Sequence, residues 1–427
     1  MMMRGVGVRR FAGGALVATL ALSACSGGPP EPAPSPPDRA GCLRDGTAPA
    51  PVPGGKGAGA IRWSVVLDRC GPAGSELPFG HDEAPWGYDY GWSATVAGGR
   101  LMLLRDGVVS AYSLRTGRSL WRRTLLPAPT KEAQWAEMSA SADVVTVERG
   151  GEDSRYVFLD ARTGSSLWST DTGGEEAEFL LGGRYVIKAD DEAIEGLALR
   201  TGRRLWRTAV PAPETAVSDG KVVYLSSVLS KSDRPPVQRR IVRVDAASGR
   251  RLADLPLPGP LRVDMDTAHG MLVLAVLGAS TEPVTPIVKT IALQASTGRL
   301  LWARKHDVAT GPGLFGQIDE SAEAYTAVDP RTGRSLWTIP LGGHRPVMAR
   351  PDYLVTLETE RSAPGTGWIR GLAPRGRFLW TSPPLALPDY LTGTPETLLV
   401  ITCDPWKPRE RTGLCADHRL TAVSLTE

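Results

Sequence analysis

Apolar and polar positions along this chain keep falling into one phrase. AYSLRTGRSLWRR (Ala111–Arg123) returns as FLDARTGSSLWST (Phe158–Thr170), GLALRTGRRLWRT (Gly196–Thr208) and TAVDPRTGRSLWTI (Thr326–Ile339). Looser copies are RVDAASGRRLADL (Arg243–Leu255), IALQASTGRLLWAR (Ile291–Arg304) and GLAPRGRFLWTS (Gly371–Ser382). Self-similarity at a near-fixed period marks a repeat architecture. The first half of each copy alternates, Val157 and Leu159 against Phe158 and Asp160, which predicts a half-buried strand. A glycine follows where a tight hairpin needs positive φ, a conformation that costs glycine nothing. A second strand then carries a Trp four residues after the glycine.

That Trp is present in six of the seven copies, as Trp121, Trp168, Trp206, Trp302, Trp337 and Trp380. A side chain of this size at a fixed offset predicts a packing wedge between neighbouring sheets. The fourth copy has Ala253 there and is expected to pack less tightly. The turn glycines Gly117, Gly164, Gly202, Gly249, Gly298, Gly333 and Gly376 are spaced by 47, 38, 47, 49, 35 and 43 residues. Such steps suit four short strands with loops, one blade of a β-propeller. The ends supply a further unit. Thr421–Glu427 is the first half of the phrase, and Gly59 to Trp63 has the missing glycine-to-Trp spacing. An N-terminal strand completing the last blade would close the ring and remove its free edges. The expected fold is an all-β, eight-bladed propeller over residues 59–427, with seven blades if the fourth copy is not a blade.

The pattern, roughly A-x-D-x-x-T-G-x-x-x-W, resembles the repeat of the pyrroloquinoline quinone (PQQ)-like propeller family. Its Asp is kept at Asp160, Asp245 and Asp329 and replaced at Ser113 and Ala198. The resemblance implies a fold more than a function, because that family holds quinoprotein dehydrogenases, non-enzymatic assembly lipoproteins and sensor domains.

The first 24 residues read as an export signal: Arg4, Arg9 and Arg10 precede an apolar run from Phe11 to Leu22. Leu22-Ser23-Ala24-Cys25 resembles the lipobox of bacterial lipoproteins, which implies that Cys25 becomes a lipidated N-terminus. Two acyl chains at ~0.8 kcal/mol per buried CH₂ give stable anchoring. Residues 25–58 are then a tether, opened by the Pro-dense Ser26–Asp38, which predicts an extended, semi-rigid spacer. The expected location is extracytoplasmic, on the cell membrane.

Charge narrows the partners. The chain of 427 residues carries 49 basic and 46 acidic side chains, and loss of the three signal arginines leaves it balanced. That balance argues against nucleic-acid and polybasic membrane binding. Besides Cys25, four cysteines (Cys42, Cys70, Cys403 and Cys415) in an exported chain predict two disulfides. Of three possible pairings, Cys403–Cys415 with Cys42–Cys70 is preferred, because both would lie near ring closure.

Catalytic chemistry finds little support. The family's large quinoprotein dehydrogenases carry a vicinal disulfide, a calcium site and an Asp base; here no two cysteines are adjacent and no motif carries those residues over. PQQ and calcium are therefore not expected, and no metal site is. The five histidines are scattered, no phosphate-binding loop is present, and the acids at Glu175, Glu176, Glu178 and at Asp190–Glu192 with Glu195 lack calcium-loop spacing. One segment stands apart: Trp86, Tyr88, Tyr90 and Trp92 sit among acids in His81–Trp92. Such a loop is either a binding surface or a cover over the propeller's own core, and Trp92 can simply begin a strand. Two insertions, Ser227–Arg239 and Asp404–Gly413 with Trp406, read either as solvated hairpins or as partner contacts. The expected role is a non-enzymatic, monomeric binding or scaffold lipoprotein with an envelope protein partner. A small-molecule or glycan sensor, or a PQQ oxidoreductase, is the alternative.

Overall fold

Short apolar runs punctuated by glycine turns build strands alone: no helix occurs among the described residues of the computed structural model. Those residues are 57–67, 92–105, 107–125, 135–141, 143–149, 154–172, 177–190, 192–210, 213–228, 239–256, 263–277, 287–305, 307–308, 315–319, 322–342, 344–350, 352–359, 366–374, 377–386, 388–394, 396–403 and 418–425. They form eight antiparallel sheets, numbered here as blades 1 to 8. Blades 1 to 7 occupy residues 92–124, 135–171, 178–209, 213–256, 263–305, 316–340 and 345–386. Blade 8 takes its three inner strands from 388–424 and its outer strand, Ile61–Leu67, from the N-terminal end. All seven copies of the phrase, the weak fourth included, are the outer hairpins of blades.

Ring closure is built as the sequence predicts. Trp63, Val65 and Leu67 face Ala422, Leu420 and His418 across an antiparallel ladder. Gly59 N–H donates to Ser424 O at 2.7 Å, and Ser424 N–H to Ala60 O at 2.8 Å. Buried side chains fall into eight clusters, one at each junction of adjacent blades, so the core is a ring of interfaces. The closing junction holds Trp63, Leu399, Ile401 and Leu420 of blade 8 against Ala94, Leu101 and Leu103 of blade 1.

This layout corrects the expectation of half-buried strands. Tyr156, Val157, Phe158, Leu159 and Asp160 are all buried in succession, because both faces of a blade meet a neighbour. Alternation decides which neighbouring blade a side chain meets, not whether it meets water.

The wedge is confirmed and its mechanism is specific. Six wedges lie over the turn glycine of the next blade: Trp63 over Gly117, Trp121 over Gly164, Trp168 over Gly202, Trp206 over Gly249, Trp302 over Gly333 and Trp380 over Gly59. A Cβ at Gly164 would sit 2.5 Å from Trp121 Cε3, so the glycine is required by the indole as well as by its φ of 70°. The indole N–H is used too. Nε1 of Trp63, Trp121, Trp168, Trp206 and Trp302 donates to the carbonyl three residues before that glycine: Leu114, Ala161, Leu199, Ala246 and Pro330, at 2.8–3.2 Å. The Asp of the pattern makes the turn. Asp160 Oδ1 accepts from the backbone N–H groups of Arg162 and Thr163, and Asp329 Oδ1 from those of Arg331 and Thr332.

Blade 4 does not pack loosely. Leu255 lies over Gly298 in the place of the missing Trp. The hydroxyl of fully buried Tyr224 donates to Ala295 O at 2.8 Å, the position an indole N–H serves elsewhere. Arg243, 7% exposed, donates to Ala253 O and to Ser296 O, tying blade 4 to blade 5. Blade 6 shows three strands among the described residues, Gly316–Asp319, Ala324–Val328 and Ser335–Pro340.

Candidate interaction surfaces

Because every blade is wound alike, its connections sort by face. Turns from the first to the second strand and from the third to the fourth lie on one side of the disc, here the turn face. Connections from the second to the third strand, and crossings to the next blade, lie on the other, the loop face.

The predicted surfaces are brought to one side. Residues 68–91, which include the aromatic segment, leave Leu67 and return at Trp92 on the loop face. Residues 229–238 join Val228 to Arg239, and 404–417 join Cys403 to His418, on that same face. Trp86, Tyr88, Tyr90 and Trp406 themselves lie outside the described residues, as do Cys25, Cys42, Cys70, Cys415 and the whole of 1–56. Trp92 does begin a strand, the inner one of blade 1. Cys403 ends a strand in register with His418, which puts Cys415 three residues before the point where pairing resumes.

The inner mouth of the loop face is acidic between blades 2 and 3. Glu137 and Glu148 are direct cross-strand partners, and Glu148 in turn faces Tyr156. Burial raises the Glu148 carboxyl above its ordinary value near 4.5; a hydrogen bond from Tyr156 opposes this, and the charges of Glu137 and Glu178 add to it. Ala177 O, 3.0 Å from the Tyr156 hydroxyl, competes with Glu148 for its single proton.

A raised carboxyl has a signed consequence. Between the ordinary and the folded value the native state holds more protons than the unfolded one, so stability falls as pH rises through that window. Glu148→Gln is expected to raise the melting temperature near neutral pH and to give no gain well below pH 4.5. A gain that persists in acid, or a loss at neutral pH, would show that the ionised carboxylate is stabilising.

Elsewhere a buried carboxylate is held down. Burial alone would raise Asp160, but Arg200 Nη2 at 2.7 Å, together with the Thr163 and Arg162 N–H groups, outweighs it and lowers the carboxyl. Arg200 belongs to blade 3, so this ion pair is a second stitch across a blade junction. The sequence signal for it is the Arg before Thr-Gly, visible there only as part of a repeat.

A quinone held with a cation would need carboxylates converging on one point. Among the described residues no three His, Cys, Asp or Glu side chains converge so as to hold a metal ion, so the described residues supply no such set. No described helix is long and apolar enough to cross a membrane.

Residues 56–221 and 105–338 match the family described as outer membrane protein assembly factor BamB. No curated protein matches the sequence. Among solved structures, BamB from Moraxella catarrhalis is similar at 14% identity and a TM-score of 0.47, over 78% of this chain and 96% of that one. A europium-containing methanol dehydrogenase is similar at 11% identity and a TM-score of 0.45, over 78% and 91%. The quinohemoprotein alcohol dehydrogenase ADHIIG from Pseudomonas putida HK5 is similar at 13% identity and a TM-score of 0.44, over 78% and 73%. With more than half of its length matched to the family and its repeats closed into a propeller, the chain belongs to the PQQ-repeat family described as outer membrane protein assembly factor BamB.

Proposed function

We propose that this propeller is a non-enzymatic binding or scaffold lipoprotein of the cell envelope, held at the membrane through Cys25 and a Pro-rich tether. It takes no cofactor, and it presents its loop face to a protein partner. One observation carries the reading: the aromatic segment and both long insertions leave and re-enter the disc on the same face. A rigid ring bearing its variable segments on one side suits protein contact, since loops tolerate change while the scaffold fixes their spacing. The assembly role in the family's description supports the same reading.

The test is site-directed photo-crosslinking in cells, with the reactive side chain at Trp86, at Trp406 and, as a control on the turn face, at Arg118. A discrete adduct from the first two positions and none from the third is the expected result. Absence of any loop-face adduct, or equal adducts from all three, would remove the scaffold reading.

A further inference from the structure

The near-neutral charge of the chain conceals a separation. Take the seven outer hairpins as twelve-residue windows, 113–124, 160–171, 198–209, 245–256, 294–305, 329–340 and 372–383. They hold eighteen Lys and Arg against five Asp and Glu, although the whole chain has 49 against 46. The rest of the molecule is therefore acidic. Of the five hairpin acids, Asp160 and Asp254 pair with hairpin arginines, and Asp245 and Asp329 accept backbone bonds in their own turns.

Topology divides the excess: Arg122, Arg123, Arg207, Arg304 and Lys305 lie toward the loop-face ends of their outer strands, and the other thirteen lie at or near the turns. The residue after the turn glycine is Arg118, Arg203, Arg250, Arg299, Arg334 or Arg377 in six of the seven hairpins, and all six are exposed. Their tips all point to the turn face, where Asp143, Asp219, Glu323, Asp352 and Glu396 of the neighbouring turns offset part of the charge, while Glu137, Glu148 and Asp190 lie toward the loop face. The large exposed apolar side chains follow the arginines. Leu120, Leu205, Leu300, Leu336, Phe378 and Leu379, 36–59% exposed, all belong to these hairpins, and only Ile318 among the described large exposed hydrophobics does not. Between blades 2 and 3 the same side has a shallow groove with Arg184, Arg200 and Leu205 in its walls, beside one acid, Asp143.

The chain's entry point adds an independent argument. Gly59, where residues 25–58 join the propeller, lies beside Trp380 and Thr381 at the start of a blade's outer strand, which is the turn face. A tether anchored at Cys25 therefore reaches the disc from that side.

We propose that the turn face docks on an anionic lipid bilayer. Arginines engage headgroup phosphates and the adjacent leucines and Phe378 enter the interfacial layer, so the loop face points away from the membrane. Guanidinium groups pair with phosphate oxygens in a bidentate fashion, and basic side chains beside exposed Leu and Phe are the chemistry of interfacial adsorption. A soluble polyanion would use the arginines but has no use for the leucines, which decides for lipid. The proposal rests on the lipoprotein reading only for the tether argument. Its test involves no partner, so its failure and that of the scaffold reading are separable.

The experiment is vesicle co-flotation of the mature chain, residues 25–427 carrying Cys25→Ser so that no lipid is attached, with phosphatidylcholine alone or mixed with phosphatidylglycerol. Residues 1–24 are left off every variant because their arginines and apolar run would themselves partition onto anionic vesicles. Stronger partition onto the phosphatidylglycerol vesicles, weakened by salt, is expected. The triple variant Arg118→Gln, Arg203→Gln, Arg334→Gln should lose on the order of a hundredfold in partition with an unchanged thermal melt. Leu120→Ser with Leu336→Ser should weaken it as well. Equal partition onto both vesicle types, or an unaffected triple variant, overturns the proposal. So does an unaffected leucine variant whose vesicle binding is displaced by DNA, which would assign the face to soluble polyanions.

Discussion

Removing residues 1–67 should abolish the folded monomer, whereas removing 1–56 should leave the melting temperature unchanged. The longer deletion takes Ile61–Leu67, the outer strand of blade 8, with its ladder to His418–Ser424. It also takes Trp63, 3% exposed, from the junction it forms with blade 1, and leaves Gly117 without its cover. Loss of one buried Trp side chain alone costs about 3–5 kcal/mol. The ladder and the remaining apolar contacts come on top, against a total stability of about 5–15 kcal/mol for an ordinary domain. The strand left behind, His418–Ser424, would present an unpaired apolar edge, an invitation to edge-to-edge association. Size-exclusion chromatography and a thermal melt of the two truncations decide the matter. A monomeric, cooperatively melting 68–427 would show that the ring does not depend on its N-terminal strand.

That closure was legible because its parts are position-specific: a truncated phrase at one end and a glycine-to-Trp spacing at the other. Turn glycines and wedges were legible for the same reason, since each needs one residue type at one place. What could not be read was compensation. Nothing in the spacing of the fourth copy shows that Leu255, Tyr224 and Arg243, from three different strands of blade 4, jointly replace one Trp. Tyr353, whose hydroxyl donates to Leu425 O at 2.6 Å, repeats the device between blades 7 and 8 without any fixed offset from the phrase. Alternation was real but misread as inside against outside, because a blade has no water-facing side in its middle strands. The balanced net charge is a sum over the chain and does not register the six exposed arginines that follow turn glycines. The aromatic segment, the cysteines and the lipobox carry the functional expectations, and all of them but Trp92 and Cys403 fall outside the described residues, so their roles rest on sequence chemistry.

Among the wedges, Trp302 should be costly to remove. It is 7% exposed, contacts Phe315 edge-on at 6.0 Å and donates to Pro330 O at 2.8 Å. It lies at the junction of blades 5 and 6, packed with Met271, Val273, Val308 and Val328. Trp302→Ala is expected to cost about 3–5 kcal/mol in a denaturant titration. Trp302→Phe, which keeps most of the area and loses the N–H bond, should cost more than the bond's ~1 kcal/mol only if the cavity fails to relax. The partner glycine gives a sharper test. Gly333 has φ 67°, and a Cβ there would lie 2.5 Å from Trp302 Cγ. Gly333→Ala therefore combines left-handed strain of about 1–2 kcal/mol with overpacking of about 1–3 kcal/mol. When Trp302→Ala and Gly333→Ala are combined the overpacking disappears, because the indole that met the new methyl is gone, while the backbone strain stays. The two losses should fall short of additivity by about 1 kcal/mol or more. Strict additivity would mean that glycine is required at these turns for its backbone conformation alone, and that the indole above it is a consequence of the turn rather than a second reason for it.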